Sequence, residues 1–143
     1  MIAPLRITPT LLLILASTVS LAIAGCGSDE TEADRIGVAA ECSSDTDCPI
    51  IECDVEPCPV LACLTQFAGG YCGVADCVAD VDCPAGSACV AHDDGRNYCF
   101  RLCANKPECN RYRSPSVEAN CSSSVEFVEP QPLRACVPPS SGS

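Results

Sequence analysis

The chain has 143 residues, fifteen of them cysteine, with no Trp and only three Tyr and three Phe. A cysteine share above about 10% with so few large apolar side chains excludes an ordinary hydrophobic-core domain and points to a disulfide scaffold made in an oxidising compartment. The formal net charge of −11 disfavours nucleic-acid binding, because phosphate contacts need a basic face.

Residues 1–25 read as a signal peptide of the Sec type: Arg6, an apolar run from Leu11 to Ala16, a break at Ser17, Thr18 and Ser20, then Leu21 to Cys26. Ile7 to Gly25 is 19 residues, close to a bilayer span. The polar interruptions and the lack of a basic flank argue against a retained helix. The segment Ile23-Ala24-Gly25-Cys26 resembles the lipobox of bacterial lipoproteins. That resemblance implies cleavage before Cys26, a diacylglyceryl thioether on its sulfur and acylation of its freed amine, with no other cofactor. Several acyl chains on one residue anchor stably where one does not. Ala22-Ile23-Ala24 offers ordinary signal peptidase a competing cut that would release a soluble chain starting at Gly25. Cysteine parity favours the lipid, since fourteen downstream cysteines can pair completely and Cys26 is left over. Gly27, where an Asp would retain the protein in the inner membrane, implies the outer membrane by resemblance to the sorting rule of well-studied Gram-negative bacteria.

Residues 26–41 are polar, acidic and free of aromatics, and are expected to form a flexible tether. A six-cysteine unit follows over 42–76 with Cys42, Cys48, Cys53, Cys58, Cys63 and Cys72. A four-cysteine unit over 77–102 holds Cys77, Cys83, Cys89 and Cys99, and another over 103–136 holds Cys103, Cys109, Cys121 and Cys136. The division rests on repetition: Cys42-Ser-Ser-Asp-Thr-Asp-Cys48-Pro matches Cys77-Val-Ala-Asp-Val-Asp-Cys83-Pro, with Cys103-Ala-Asn-Lys-Pro-Glu-Cys109 a weaker third copy. Even counts let each unit close on itself. In the second unit, a strand from Cys89, a turn over Asp93 to Asn97 and a strand from Tyr98 to Arg101 predict a β-hairpin. Such a hairpin brings Cys89 near Cys99, yet first-to-third and second-to-fourth pairing is equally open to so small a unit. Residues 137–143 are expected to be a disordered tail. The fold class is therefore small and disulfide-rich, with tandem short β-hairpin and loop modules and little regular secondary structure.

The pattern Cys-x5-Cys-Pro-x-Gly-x-x-Cys, followed by a Gly-bearing turn and another Cys, resembles repeats in cysteine-rich lipoproteins of myxobacteria and related diderms. It is also similar to the cysteine-rich modules of secreted animal proteins such as Dickkopf. The likeness covers 77–99 well, 42–72 partly and 103–136 poorly, and it implies a scaffold rather than an activity.

No residue pattern points to catalysis. His92 is the only histidine and is expected to lie exposed in a turn. Cysteines at 48, 53, 58 and 63 invite a zinc or copper site, but an oxidising compartment and the absence of Cys-x2-Cys pairs favour disulfides, so no metal ligand is assigned. Asp45, Asp47, Asp80 and Asp82, with Asp54, Asp93 and Asp94, offer oxygens for calcium without an EF-hand pattern; capping turns is their simpler role. The proline-stiffened loop Glu56 to Cys63 resembles the way small protease inhibitors present a strand, with Val60 and Leu61 as contact residues. Charge divides unevenly: residues 29–94 hold fifteen acids and Arg35 alone, whereas 95–143 hold six bases and four acids. The short cluster Lys106, Arg111 and Arg113 is expected to be a solvated loop. Asn120-Cys-Ser122 matches a glycosylation sequon by chance. The expected function is a lipid-anchored, non-catalytic binding or structural module of the cell envelope, with the membrane and a protein or glycan as partners. Protease inhibition and calcium binding are the alternatives.

Overall fold

A computed structural model describes residues 30–49 and 60–140. The Cys-x5-Cys spacing marks a unit that the chain builds three times. Each unit starts with a short turn of helix between its first two cysteines: a 3-10 turn at Asp45–Asp47, another at Asp80–Asp82, and helix α2 at Lys106–Cys109. An antiparallel strand pair follows, β1 (Ala62–Cys63) with β2 (Cys72–Gly73), β3 (Ser87–Ala91) with β4 (Asn97–Arg101), and β5 (Asn120–Ser122) with β7 (Ala135–Val137). The disulfide-rich hairpin fold expected from the sequence is the observed one.

The last acid of each turn closes it. Asp47 Oδ2 accepts from the N–H groups of Ser43 and Ser44 at 2.8 and 3.0 Å, and Asp82 Oδ2 from those of Val78 and Ala79 at 2.8 and 3.1 Å. Glu108 repeats the bond in the third unit, with Ala104 N–H at 2.9 Å. The first acid reaches further, from the turn to the hairpin: Asp45 Oδ1 accepts from Cys63 N–H and Asp80 Oδ1 from Cys89 N–H, both at 2.8 Å. Short carboxylates suit both tasks because they reach backbone donors close in sequence without much entropy to lose.

In every unit two cysteines stand directly opposite each other across the strand pair: Cys63 and Cys72, Cys89 and Cys99, Cys121 and Cys136. They do not bond to each other. The first joins the leading cysteine and the second joins the cysteine that ends the turn, giving Cys42–Cys63 and Cys48–Cys72, Cys77–Cys89 and Cys83–Cys99, Cys103–Cys121 and Cys109–Cys136. Cys89 N–H is taken by Asp80 and Cys99 N–H by Val74 C=O, so the pair is non-hydrogen-bonded, the kind in which side chains stand closest. Both sulfurs thus leave the same face side by side, and the turn is clamped over that face. Cys26, Cys53 and Cys58 lie outside the described residues.

The residues just before each unit add a third strand-like segment. Ala39 and Ala40 exchange bonds with Cys72, Ala75 bridges Tyr98, and Leu102 bridges Ala135. This corrects the expected tether over its described residues, 30–41. Helix α1 (Glu32–Arg35), capped by Thr31, is the first element among the described residues, and Ala33, Ile36, Val38 and Ala39 are buried. The apolar side chains of Ile36 and Val38 are why: they cover the hairpins, and their withdrawal from water outweighs the polar character of the surrounding sequence. The expected tail is corrected over its described residues, 137–140. Val137 is in β7, Pro139 C=O accepts from Ala68 N–H, and Ser140 bridges Phe67.

The units share one core. Alternation along β4 sends Tyr98 and Phe100 to one face and Cys99 to the other, and β3 does the same with Ala88 and Val90 against Cys89. Phe67 of the first unit meets Tyr98 and Phe100 edge-on, and Tyr71 meets Phe100 tilted, at ring separations of 5.2 to 5.8 Å. Strand β6 (Glu126–Phe127) of the third unit pairs with β3 of the second.

Gly70 sits where the first hairpin crosses the leading cysteine. Its φ is +65°, and a Cβ there would lie 2.1 Å from the carbonyl oxygen of Cys42. Gly95 has φ +82° but open space around it. Gly95→Ala is expected to cost about 1 kcal/mol from backbone strain alone. Gly70→Ala should cost at least ~1 kcal/mol more, read as a lower denaturant midpoint at unchanged slope.

Candidate functional site

Most residues singled out from the sequence are engaged in holding the fold. The carboxylates of Asp45, Asp47, Asp80 and Asp82 are committed to backbone N–H groups, and those bonds hold Asp47 below the usual carboxylate range. Among the described residues, the convergent groups of potential metal ligands are Cys42, Cys48 and Cys72; Cys77, Cys83 and Cys99; and Cys103, Cys109 and Cys121. Every one of those sulfurs is in a disulfide. Asp54 and residues 56–59 of the proline loop lie outside the described residues. Val60 is 80% exposed, but Leu61 is only 6% exposed and packs in the core. Leu61 is therefore corrected from a contact residue to a core residue: the chain enters β1 immediately after it, which turns its side chain inward.

His92 is not an exposed loop residue. Its ring packs edge-on against Phe67 at 5.2 Å and Tyr98 at 5.8 Å, with Nδ1 3.3 Å from Asp94 Oδ1. Phe67 and Tyr98 supply an apolar wall that a single turn residue covers well. Tyr98 in turn donates its hydroxyl to Asp94 Oδ2 at 2.6 Å, which holds that carboxyl below its ordinary range. His92 and Asp93 border an open groove of about 390 Å³ that Asn120, Ser122, Ser124 and Glu126 complete.

The cluster Lys106, Arg111 and Arg113 separates into three roles, so a single solvated loop is corrected. Lys106 pairs with Glu118 at 2.6 Å. Arg113 is buried and uses its guanidinium as a fork: Nε donates to Val117 C=O at 2.8 Å, Nη1 to Gly70 and Ala39 C=O at 2.8 and 3.2 Å, and Nη2 to Ala68 C=O at 2.8 Å. Those carbonyls come from the N-terminal segment, the first hairpin and the third unit, so one side chain stitches three parts of the chain.

Arg111 remains exposed. It borders an open groove of about 510 Å³ with Thr31, Leu102, Glu108, Leu133 and Arg134. The Asp34–Arg101 pair also lines this groove, nearly buried at side-chain exposures of 10% and 8%. Arg101 Nε donates to Asp34 Oδ1 at 2.7 Å, and Nη2 reaches the same oxygen. Thr31 donates its N–H and hydroxyl to Asp34 Oδ2 at 3.2 and 2.8 Å. Burial alone would raise the Asp34 pKa, but the bonds from Thr31 and Arg101 together outweigh it and lower the pKa. A smaller recess shares Asp34, Arg101, Glu108 and Arg111 with this groove and extends the face to Tyr112.

No family model, curated protein or solved structure matches this chain. Among the described residues, no helix is long and apolar enough to cross a membrane.

Because the folded pKa of Asp34 lies below its ordinary 3.8, its contribution to stability is complete above that value and is lost as pH falls through the folded pKa. Arg101→Met leaves the nearly buried carboxylate without its cation. It is expected to cost about 3 kcal/mol or more at neutral pH and, because the folded pKa of Asp34 rises toward its ordinary value, to shrink the part of the stability that acid removes. Asp34→Asn with Arg101→Met should recover part of that cost. Denaturant titrations of the three variants across pH 2 to 7 check this.

Proposed function

We propose that the chain is a lipid-anchored, disulfide-stapled module of the bacterial cell envelope that binds a partner or serves structure and performs no catalysis. The cysteine arithmetic carries the reading. Fifteen cysteines less the twelve in described disulfides leaves Cys26, Cys53 and Cys58. Cys53 and Cys58 are near neighbours within the first unit's sequence, and a bond between them would leave Cys26 over. Cys26 stands at the position where a lipobox-like segment requires a cysteine that accepts lipid.

The absence of catalysis is supported by what the polar side chains already do. The acids of the repeat close turns, Arg113 is spent on backbone carbonyls, and His92 packs on aromatic rings. A scaffold that holds these groups in its own fold presents a rigid surface at low entropic cost, which suits binding.

Mass spectrometry of the mature N-terminal peptide tests the reading. Cys26 is expected to carry diacylglyceryl and an acylated amine, and Cys26→Ser is expected to abolish retention on membranes washed with high salt. A mature chain starting at an unmodified Gly25 contradicts it.

A further inference from the structure

Thr31 caps α1, the first element among the described residues, and Ala33 N–H is bound to Ala85 C=O at 2.8 Å. From Cys26 to Thr31 are five residue steps, at most about 18 Å of extended chain. A lipid on Cys26 therefore keeps the Thr31 side of the molecule close to the bilayer surface. Thr31 is itself part of the rim of the 510 Å³ groove.

That groove has the chemistry of an anionic lipid surface's complement. Its two acids are already used: Asp34 by Arg101 and Thr31, and Glu108 by Ala104 N–H and the Asn105 side chain at 2.9 and 2.5 Å. Its two exposed cations are not. Arg111 and Arg134 take part in none of the ion pairs among the described residues, Arg96–Asp76, Arg101–Asp34 and Lys106–Glu118, nor in the His92–Asp94 contact. Beside them stand two of the few exposed large apolar side chains, Leu133 at 45% and Tyr112 at 55%. Arginine, tyrosine and leucine together match the layered character of a bilayer interface, where guanidinium meets phosphate and amphipathic rings settle at headgroup level. Free cations on one face of a chain with net charge −11 also orient it, since the acidic remainder is repelled by the same surface.

We infer that the face formed by Arg111, Tyr112, Leu133 and Arg134 docks on the headgroup phosphates of anionic phospholipid next to the lipid anchor. The inference rests on the anchor proposed above. Docking fixes the orientation of the module, turns the Thr31 groove toward the membrane and leaves the rest of the surface for a partner.

The test uses the mature acylated protein in vesicles of phosphatidylglycerol with phosphatidylethanolamine, and in vesicles of phosphatidylcholine. Arginine modification by phenylglyoxal is read residue by residue by mass spectrometry. Arg111 and Arg134 are expected to react about fivefold more slowly on the anionic vesicles, the factor that one arginine near such a surface supplies. Arg96, paired with Asp76 outside this face, is expected to react equally on both, and high salt should remove the protection. Equal rates at Arg111 and Arg134 on the two surfaces overturn the inference. Protection on phosphatidylcholine vesicles by inorganic phosphate, equal to that given by anionic vesicles, overturns the headgroup assignment. Protection by polyglutamate without protection by anionic vesicles does the same in favour of an acidic peptide. A second arm uses the mature chain carrying Cys26→Ser, which has no acyl group. Its sedimentation with anionic vesicles is expected to weaken about 25-fold with Arg111→Gln and Arg134→Gln together, and unchanged sedimentation overturns the inference. This arm reads the face without the lipid, so a failed anchor and a failed docking face give different results.

Discussion

Two cysteines placed opposite each other on a hairpin, each held by a different cysteine of the preceding turn, are the constraint on which everything else depends. Strands of two or three residues, such as β1 and β2 or β5 and β7, are too short to be stable by their own hydrogen bonds. The crossed pair of disulfides fixes the turn over one face of the hairpin and restricts the unfolded chain at the same time, each typically contributing about 2–4 kcal/mol. The opposite face is then free to be apolar. In the second unit this division is complete, with Cys89 and Cys99 on one side of the strands and Val90, Tyr98 and Phe100 on the other.

Clamped hairpins with one apolar face still need something to cover that face, and each unit covers its neighbours. The Phe67, Tyr71, Tyr98 and Phe100 rings join the first two units, β6 brings the third unit onto β3, and Ser140 returns to Phe67. Tyr71 shows how tightly: its hydroxyl accepts Arg101 N–H at 3.0 Å, and burial raises its phenol pKa far above the ordinary value. Helix α1 closes the remaining edge through Asp34 and Arg101, and Arg113 binds the carbonyls left over at Ala39, Ala68 and Gly70. Buried arginine is suited to that position because its five donors satisfy several carbonyls at once.

Local features were legible in the sequence and long-range ones were not. The turn at Asp93 to Asn97 and the strand from Tyr98 to Arg101 follow from alternation and a Gly-bearing turn, and the structure places β4 at Asn97–Arg101. The repeated acids announced their capping role because that role is satisfied within a few residues. The folding of residues 32–40 left a fainter trace. Gly37-Val38-Ala39 before Cys42 parallels Gly73-Val74-Ala75 before Cys77, but the acids around Glu32 and Asp34 gave the segment a tether's composition. Arg113 was unreadable in principle, since its partners are backbone carbonyls with no side-chain signature. Leu61 was misplaced because a proline-rich loop resembles an exposed one until the start of β1 is known. The docking face was hidden for the same reason: Thr31, Arg111 and Arg134 are far apart in sequence and meet only when the third unit folds against α1.

The pairing itself is the most direct thing to measure. Non-reducing peptide mapping of the mature protein is predicted to give Cys42 with Cys63, Cys48 with Cys72, Cys77 with Cys89, Cys83 with Cys99, Cys103 with Cys121 and Cys109 with Cys136. Direct cross-strand bonds, Cys63 with Cys72, Cys89 with Cys99 or Cys121 with Cys136, would leave the turns unclamped and contradict the account.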